Sequence, residues 1–135
     1  MSDDQPEHVT GVWQGLYMYP LALEPGAFTA TLLDIAGAVS GSIHEMSNND
    51  DGPRRQLNAS VDGRRAGSSV QFVKQYDGRG GAGWDHAVYY TGVLSADRSE
   101  IEGVWDIPGE WSGRFLMIRS RAAPTAARRR AFQKA

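Results

Sequence analysis

The sequence predicts an all-β fold, an eight-stranded antiparallel up-and-down β-barrel, and three observations carry that prediction. Apolar and polar residues alternate with a period of two along most of the chain, as in strands with one buried face. Turn-forming residues interrupt the alternation about every ten residues, the rhythm of consecutive hairpins. Eight successive strands would leave two exposed edges, and closing the sheet on itself removes them.

In chain order the strands are expected near 9–19, 27–36, 38–46, 55–62, 68–77, 86–95, 100–107 and 111–121. Alternation assigns their inner faces. The first strand turns Trp13, Gly15 and Tyr17 inward, the second Phe28, Leu32 and Asp34, and the third Val39, Gly41, Ile43 and Glu45. Leu57, Ala59 and Val61 follow on the fourth, then Val70, Phe72, Lys74 and Tyr76 on the fifth. The sixth contributes Val88, Tyr90, Gly92 and Leu94, and the seventh Ile101, Gly103, Trp105 and Ile107. Gly113, Phe115, Met117 and Arg119 complete the set. Asp62-Gly63 is expected to begin a hairpin turn. Pro108-Gly109 suits the central pair of a type II turn, and residues 95–99 form a short polar loop. Residues 47–53 and 77–84 are longer loops, and "LALEPG" has room for a turn.

A chain of 135 residues suits one domain, expected as an acidic N-terminal tail over 1–8, a barrel over 9–121 and a basic C-terminal tail over 122–135. That last segment, after Pro124, reads as a solvated helix or a frayed end. With a net charge of −2, attraction of the whole molecule to nucleic acid or to an anionic membrane is not expected. The absence of cysteine excludes disulfides and thiolate metal sites. The opening residues have neither the basic start nor the apolar core of a secretory signal, and no apolar run approaches ~18 residues, so a cytoplasmic location is expected.

A Gly-Val-Trp triplet occurs twice, as Gly11-Val12-Trp13 and Gly103-Val104-Trp105. In a closed barrel the first and last strands are neighbours, so both tryptophans are expected to plug the interior, each with a glycine leaving room beside it. Gly11 and Trp13 on the first strand, with Arg119 on the last, resemble the calycin superfamily of lipocalins, fatty-acid-binding proteins and avidin/streptavidin. The size and strand count look most like an avidin or a small bacterial lipocalin-like protein. The resemblance implies that a last-strand Arg packs on Trp13, with Arg121 on the same face as the alternative to Arg119. Gln14 and Gly15 follow the Trp where avidins carry polar contacts to biotin, so the resemblance extends to fold and not to biotin.

The inner face is not wholly apolar. Asp34, Glu45, Lys74 and Arg119 point inward with Tyr17, Tyr76 and Tyr90. Buried charge is costly unless paired, so these groups should meet one another or a ligand. An eight-stranded barrel is just wide enough to be filled by side chains or to hold one small molecule. The first alternative makes Lys74 and Glu45 a buried pair in a packed interior. The second makes Tyr17, Asp34, Glu45, Phe72, Lys74, Tyr76, His86, Tyr90 and Trp105 the walls of a binding cavity, with Gly11, Trp13 and Arg119 serving barrel closure.

The outer face carries unexpected apolar residues: Val12, Leu16 and Met18, then Val93, Val104, Leu116 and Ile118. On adjacent strands these form a patch that predicts a homodimer. The alternative is that the C-terminal tail folds back over it. "DGRGGAGWDH" lacks the following helix that a phosphate cradle needs, so it reads as a loop at the barrel mouth in which Trp84 could cover a ligand. His8, His44 and His86 have no partners at ligand spacing, so neither a metal nor another cofactor is expected.

These features predict a small-molecule binding protein whose cavity suits a small, partly apolar ligand and has room for an anionic group near Lys74. Two alternatives remain: a small isomerase or hydrolase using Glu45, Lys74, Tyr90 and His86, or an interaction module with a filled barrel.

Overall fold

A computed structural model describes residues 8–20, 25–46, 56–78 and 86–120. The expectations for the acidic tail over 1–7, the 47–53 loop, most of the 77–84 loop with Trp84, Arg121 and the basic tail fall outside the described residues. Eight strands follow in order: β1 (Gly11–Met18), β2 (Gly26–Ile35), β3 (Ala38–Met46), β4 (Gln56–Ala66), β5 (Ser69–Tyr76), β6 (Ala87–Leu94), β7 (Glu100–Ile107) and β8 (Trp111–Arg119). Each pairs antiparallel with the next, and β8 returns to β1 from Trp13↔Arg119 to Met18↔Arg114, which closes the barrel. Among the described residues, no helix is long and apolar enough to cross a membrane.

Alternation sorts the faces as the sequence predicts. Trp13, Phe28, Leu32, Val39, Ile43, Leu57, Val61, Val70, Phe72, Tyr90, Leu94, Ile101, Trp105, Phe115 and Met117 are all buried. Three charged side chains, Glu45, Lys74 and Arg119, are buried with them.

Turn chemistry explains where the strands stop. Ala36 and Gly37 both have positive φ (52° and 93°), as a two-residue type I′ hairpin requires. Gly109 (φ 78°) follows Pro108, and the Glu110 amide donates to the Ile107 carbonyl at 2.9 Å, consistent with the expected turn. Asp62-Gly63 does not turn. These residues pair with Val73 and Phe72 in mid-strand, and the chain reverses at Gly67, whose φ is 60°. Gly63 meets a different need, close approach: a Cβ there would overlap the Gln71 carbonyl oxygen.

The two Gly-Val-Trp triplets lie at opposite ends of the barrel, against expectation. Trp13 is level with Arg119, whose amide bonds to the Ser99 carbonyl just before β7 begins. Trp105 lies about six residues further along β7, roughly 20 Å away along the strand. Their glycines also differ in role. Gly11 (φ 146°) lies against the Arg119 guanidinium, whereas Gly103 lets β6 approach, since a Cβ there would overlap the Thr91 carbonyl oxygen rather than anything on Trp105.

The Trp13 end is sealed. The Arg119 guanidinium lies 4.5 Å from the centroid of the Trp13 ring. Its nitrogens donate to the carbonyls of His8 (2.6 Å), Thr10 (2.9 Å) and Arg98 (3.1 Å). The Trp13 indole donates to the Val9 carbonyl at 2.9 Å. Burial holds the Arg119 guanidinium below its ordinary pKa, and these carbonyls compensate part of its desolvation.

Candidate functional site

At the end opposite Trp13 the odd-numbered strands finish and the even-numbered ones begin. Side chains two residues apart on successive strands converge there, leaving a cavity of about 340 Å³. Its lining comes from Tyr17 and Tyr19 at the end of β1, Lys74 and Tyr76 on β5, His86, Val88 and Tyr90 on and before β6, Trp105 and Ile107 on β7, and Glu110 and Trp111 at the last turn.

Aromatic rings form a floor beneath it. Phe72 stacks on Tyr90 with centroids 4.8 Å apart and planes 8° from parallel. Phe115 meets Tyr90 edge-on at 4.9 Å, and Phe28 lies 6.3 Å from it. A second cluster frames the mouth, where Tyr19 sits 5.0 Å from Trp111 and 5.8 Å from Trp105. The Trp105 indole donates to the Met18 carbonyl at 3.0 Å, which fixes that ring against β1.

Between floor and mouth is a buried polar group. Lys74 Nζ lies 3.2 Å from Glu45 Oε1. The Tyr76 hydroxyl donates to Glu45 Oε1 at 2.6 Å and the Tyr17 hydroxyl to Oε2 at 2.7 Å. Three donors on one carboxylate, two of them short and charge-assisted, offset its desolvation. Lys74 Nζ also sits 4.8 Å from the ring centroids of both Tyr17 and Tyr76 and 5.4 Å from that of Tyr90, an aromatic cage around an ammonium. Lys74 lines the cavity and Glu45 stands behind it.

The three phenols resist ionisation. Burial pushes the Tyr17 hydroxyl well above its ordinary pKa, and the Glu45 charge pushes it further. Burial raises Tyr76 as well, with Lys74 partly opposing the rise. Tyr90 rises through burial first and the charge of Glu45 second. All three remain hydrogen-bond donors at neutral pH. Tyr90 lines the cavity, while the carboxylate of Glu45 is held by the hydroxyls of Tyr17 and Tyr76.

Of the residues that the sequence marks for the cavity, Tyr17, Lys74, Tyr76, His86, Tyr90 and Trp105 line it, with Glu45 directly behind. Phe72 lies one layer down, under Tyr90. Asp34 is elsewhere. It sits at the sealed end, ion-paired to Arg65 and accepting the amides of Val9 (3.1 Å) and Gly37 (2.9 Å). Burial raises its pKa, but those bonds and the Arg65 charge outweigh it and hold the carboxyl below its usual range. Asp34 points inward as alternation requires; its position six residues beyond Phe28 puts it about 20 Å from Glu45 along the strands. His44 faces outward, 2.7 Å from Asn58 Oδ1.

The cavity set read from sequence omits Tyr19, Trp111 and Glu110, and also Val88 and Ile107, which alternation does turn inward. The signal for two of them was parity: Tyr19 continues the face of Tyr17, and Trp111 that of Gly113 and Phe115. Both stand at strand ends, where alternation is usually read as finished.

The filled and hollow barrels, posed as alternatives, coexist at different heights. Trp13, Met117, Ile101 and Val70 pack one half solid, and the other half opens above Phe72 and Tyr90.

On the outside, Val12, Leu16, Val93, Val104 and Ile118 are exposed, while Met18 and Leu116 are half-buried. The register places Leu16 beside Leu116, and Leu116 beside Glu102. Glu102 pairs with Arg114 at 3.8 Å in the middle of this face.

No protein-family model and no curated protein matches the chain.

Proposed function

We propose that this protein binds one small, partly apolar molecule in the open half of the barrel, with a hydrogen-bond-accepting or anionic group of the ligand turned toward Lys74. The observation that carries this reading is the composition of the 340 Å³ cavity: aromatic walls with a few convergent donors at the base. Its volume is at the lower end of pockets that hold small molecules, and such sites are built this way. The groups presented to a ligand are donors, the Lys74 ammonium and the Tyr90 hydroxyl, because the Glu45 carboxylate is occupied by three donors of its own. The sealed Trp13–Arg119 end supports a calycin-like barrel, with a resemblance to avidin-like and small lipocalin-like proteins.

Native mass spectrometry of freshly purified protein tests the reading. A co-purified small molecule that is lost when Trp105→Ala and Trp111→Ala open the mouth supports it. A protein that carries nothing, and whose tryptophan emission is unmoved by a library of aromatic carboxylates, overturns it.

We also propose that the apolar outer face of β6, β7, β8 and β1 pairs with a second copy of this chain. The Glu102–Arg114 pair at its centre is self-complementary: about a two-fold axis, each carboxylate can meet the other copy's guanidinium. Light scattering should find a dimer that Leu16→Glu converts to monomer, and a monomeric wild type would refute the pairing.

A further inference from the structure

Lys74 and Lys134 are the only lysines; every other basic side chain among the 14 Lys and Arg residues is arginine. The one lysine in the barrel occupies an enclosed position, 1% exposed among aromatic rings. An arginine would serve at least as well to pair with a carboxylate and stack on rings. What lysine adds is a nitrogen that can surrender its proton and act as a nucleophile.

We infer that the cavity captures aromatic aldehydes covalently, as a Schiff base on Lys74, an inference that rests on the cavity being a small-molecule site. The surroundings match the proton traffic such a bond requires. Glu45, 3.2 Å from Nζ, takes one proton from the ammonium. The freed amine attacks the carbonyl carbon, and the hydroxyl of Tyr90, which lines the cavity beside Lys74, donates a hydrogen bond to the carbonyl oxygen. The carbinolamine then loses its hydroxyl with the proton returned by Glu45, as water, and a C=N bond forms. In sum, an ammonium and an aldehyde give an iminium ion and water. One positive charge remains beside one carboxylate, so Glu45 is counter-ion before and after. The rings of Tyr17, Tyr76 and Tyr90 that hold the ammonium face the iminium equally well. Enclosure of the nitrogen protects the adduct from the water that would hydrolyse it.

The test uses the full-length protein with 4-(dimethylamino)benzaldehyde, whose protonated imine absorbs to the red of the free aldehyde. Sodium cyanoborohydride fixes the imine, adding the mass of the aldehyde less one oxygen, and peptide mapping locates it. The expected result is one adduct, on Lys74, formed at least ~10-fold faster than on Lys134 or the N-terminal amine. Tyr90→Phe should slow its formation, and Glu45→Gln should shift the absorption of the bound imine. Lys74→Arg should abolish the adduct, and because the wild-type map decides the question, the test stands even where that variant fails to fold. The corresponding benzoate, titrated by tryptophan fluorescence, separates the two readings. Binding of the benzoate without labelling of Lys74 overturns covalent capture and leaves the binding function standing. Labelling spread evenly over Lys74, Lys134 and the terminus also overturns it. Failure of both probes to bind removes the binding function and covalent capture together.

Discussion

Lys74 on β5 and Glu45 on β3 meet across the barrel interior, 3.2 Å apart, with β4 between their strands. Neither has surface to retreat to, and each is the other's compensation for lost hydration. The pair therefore sets both the polarity of the cavity base and a stability cost for breaking it.

Lys74→Met should destabilise the fold by about 3 kcal/mol, because Glu45 would keep two tyrosine donors and lose its counter-charge. Lys74→Met combined with Glu45→Leu should recover much of that loss, since the lone buried charge is gone. Urea denaturation of the two variants and wild type checks both statements, and additive losses would contradict them.

Asp34 should give the barrel an acid-sensitive seal. Its folded pKa is depressed by Arg65 and two backbone amides, so it contributes stability above its unfolded pKa of about 3.9. That contribution is lost as pH falls through the folded value. Asp34→Asn should lower stability at neutral pH and flatten the decline below about pH 4, as read from urea midpoints measured across pH. An unchanged acid limb would show that Asp34 is not the group responsible.

Ala36 holds a left-handed conformation (φ 52°) in a turn that favours Asn followed by Gly. Ala36→Asn creates that pair with Gly37 and should raise stability by roughly 0.5–1 kcal/mol. A higher denaturation midpoint with an unchanged slope is the expected observation.

Arg119→Met should loosen the β1–β8 seam. It removes three hydrogen bonds to the carbonyls of His8, Thr10 and Arg98 along with the stacking on Trp13. A loss of about 2–4 kcal/mol is expected, with amide exchange accelerated first at Gln14 and Ser120, whose amides face the β1–β8 seam. Uniform acceleration around the barrel would mean that the seam is no weaker than the other strand pairs.

Alternation, the turn rhythm and the need to remove edges determined the strand count and the closed all-β plan, and alternation alone gave the inward face of nearly every strand, because a strand's facing depends only on residue parity. Facing was legible for Asp34 and Trp13 as well as for Glu45 and Trp105. The height of each residue along the barrel was not, and only the tertiary structure decided it. Height accumulates from one hairpin register to the next around the closed ring, and a turn at Gly67 rather than Asp62-Gly63 is one such step. Registers therefore put Asp34 and Trp13 at the sealed end and Glu45 and Trp105 at the open one, brought Lys74 to Glu45, and left the cavity between them.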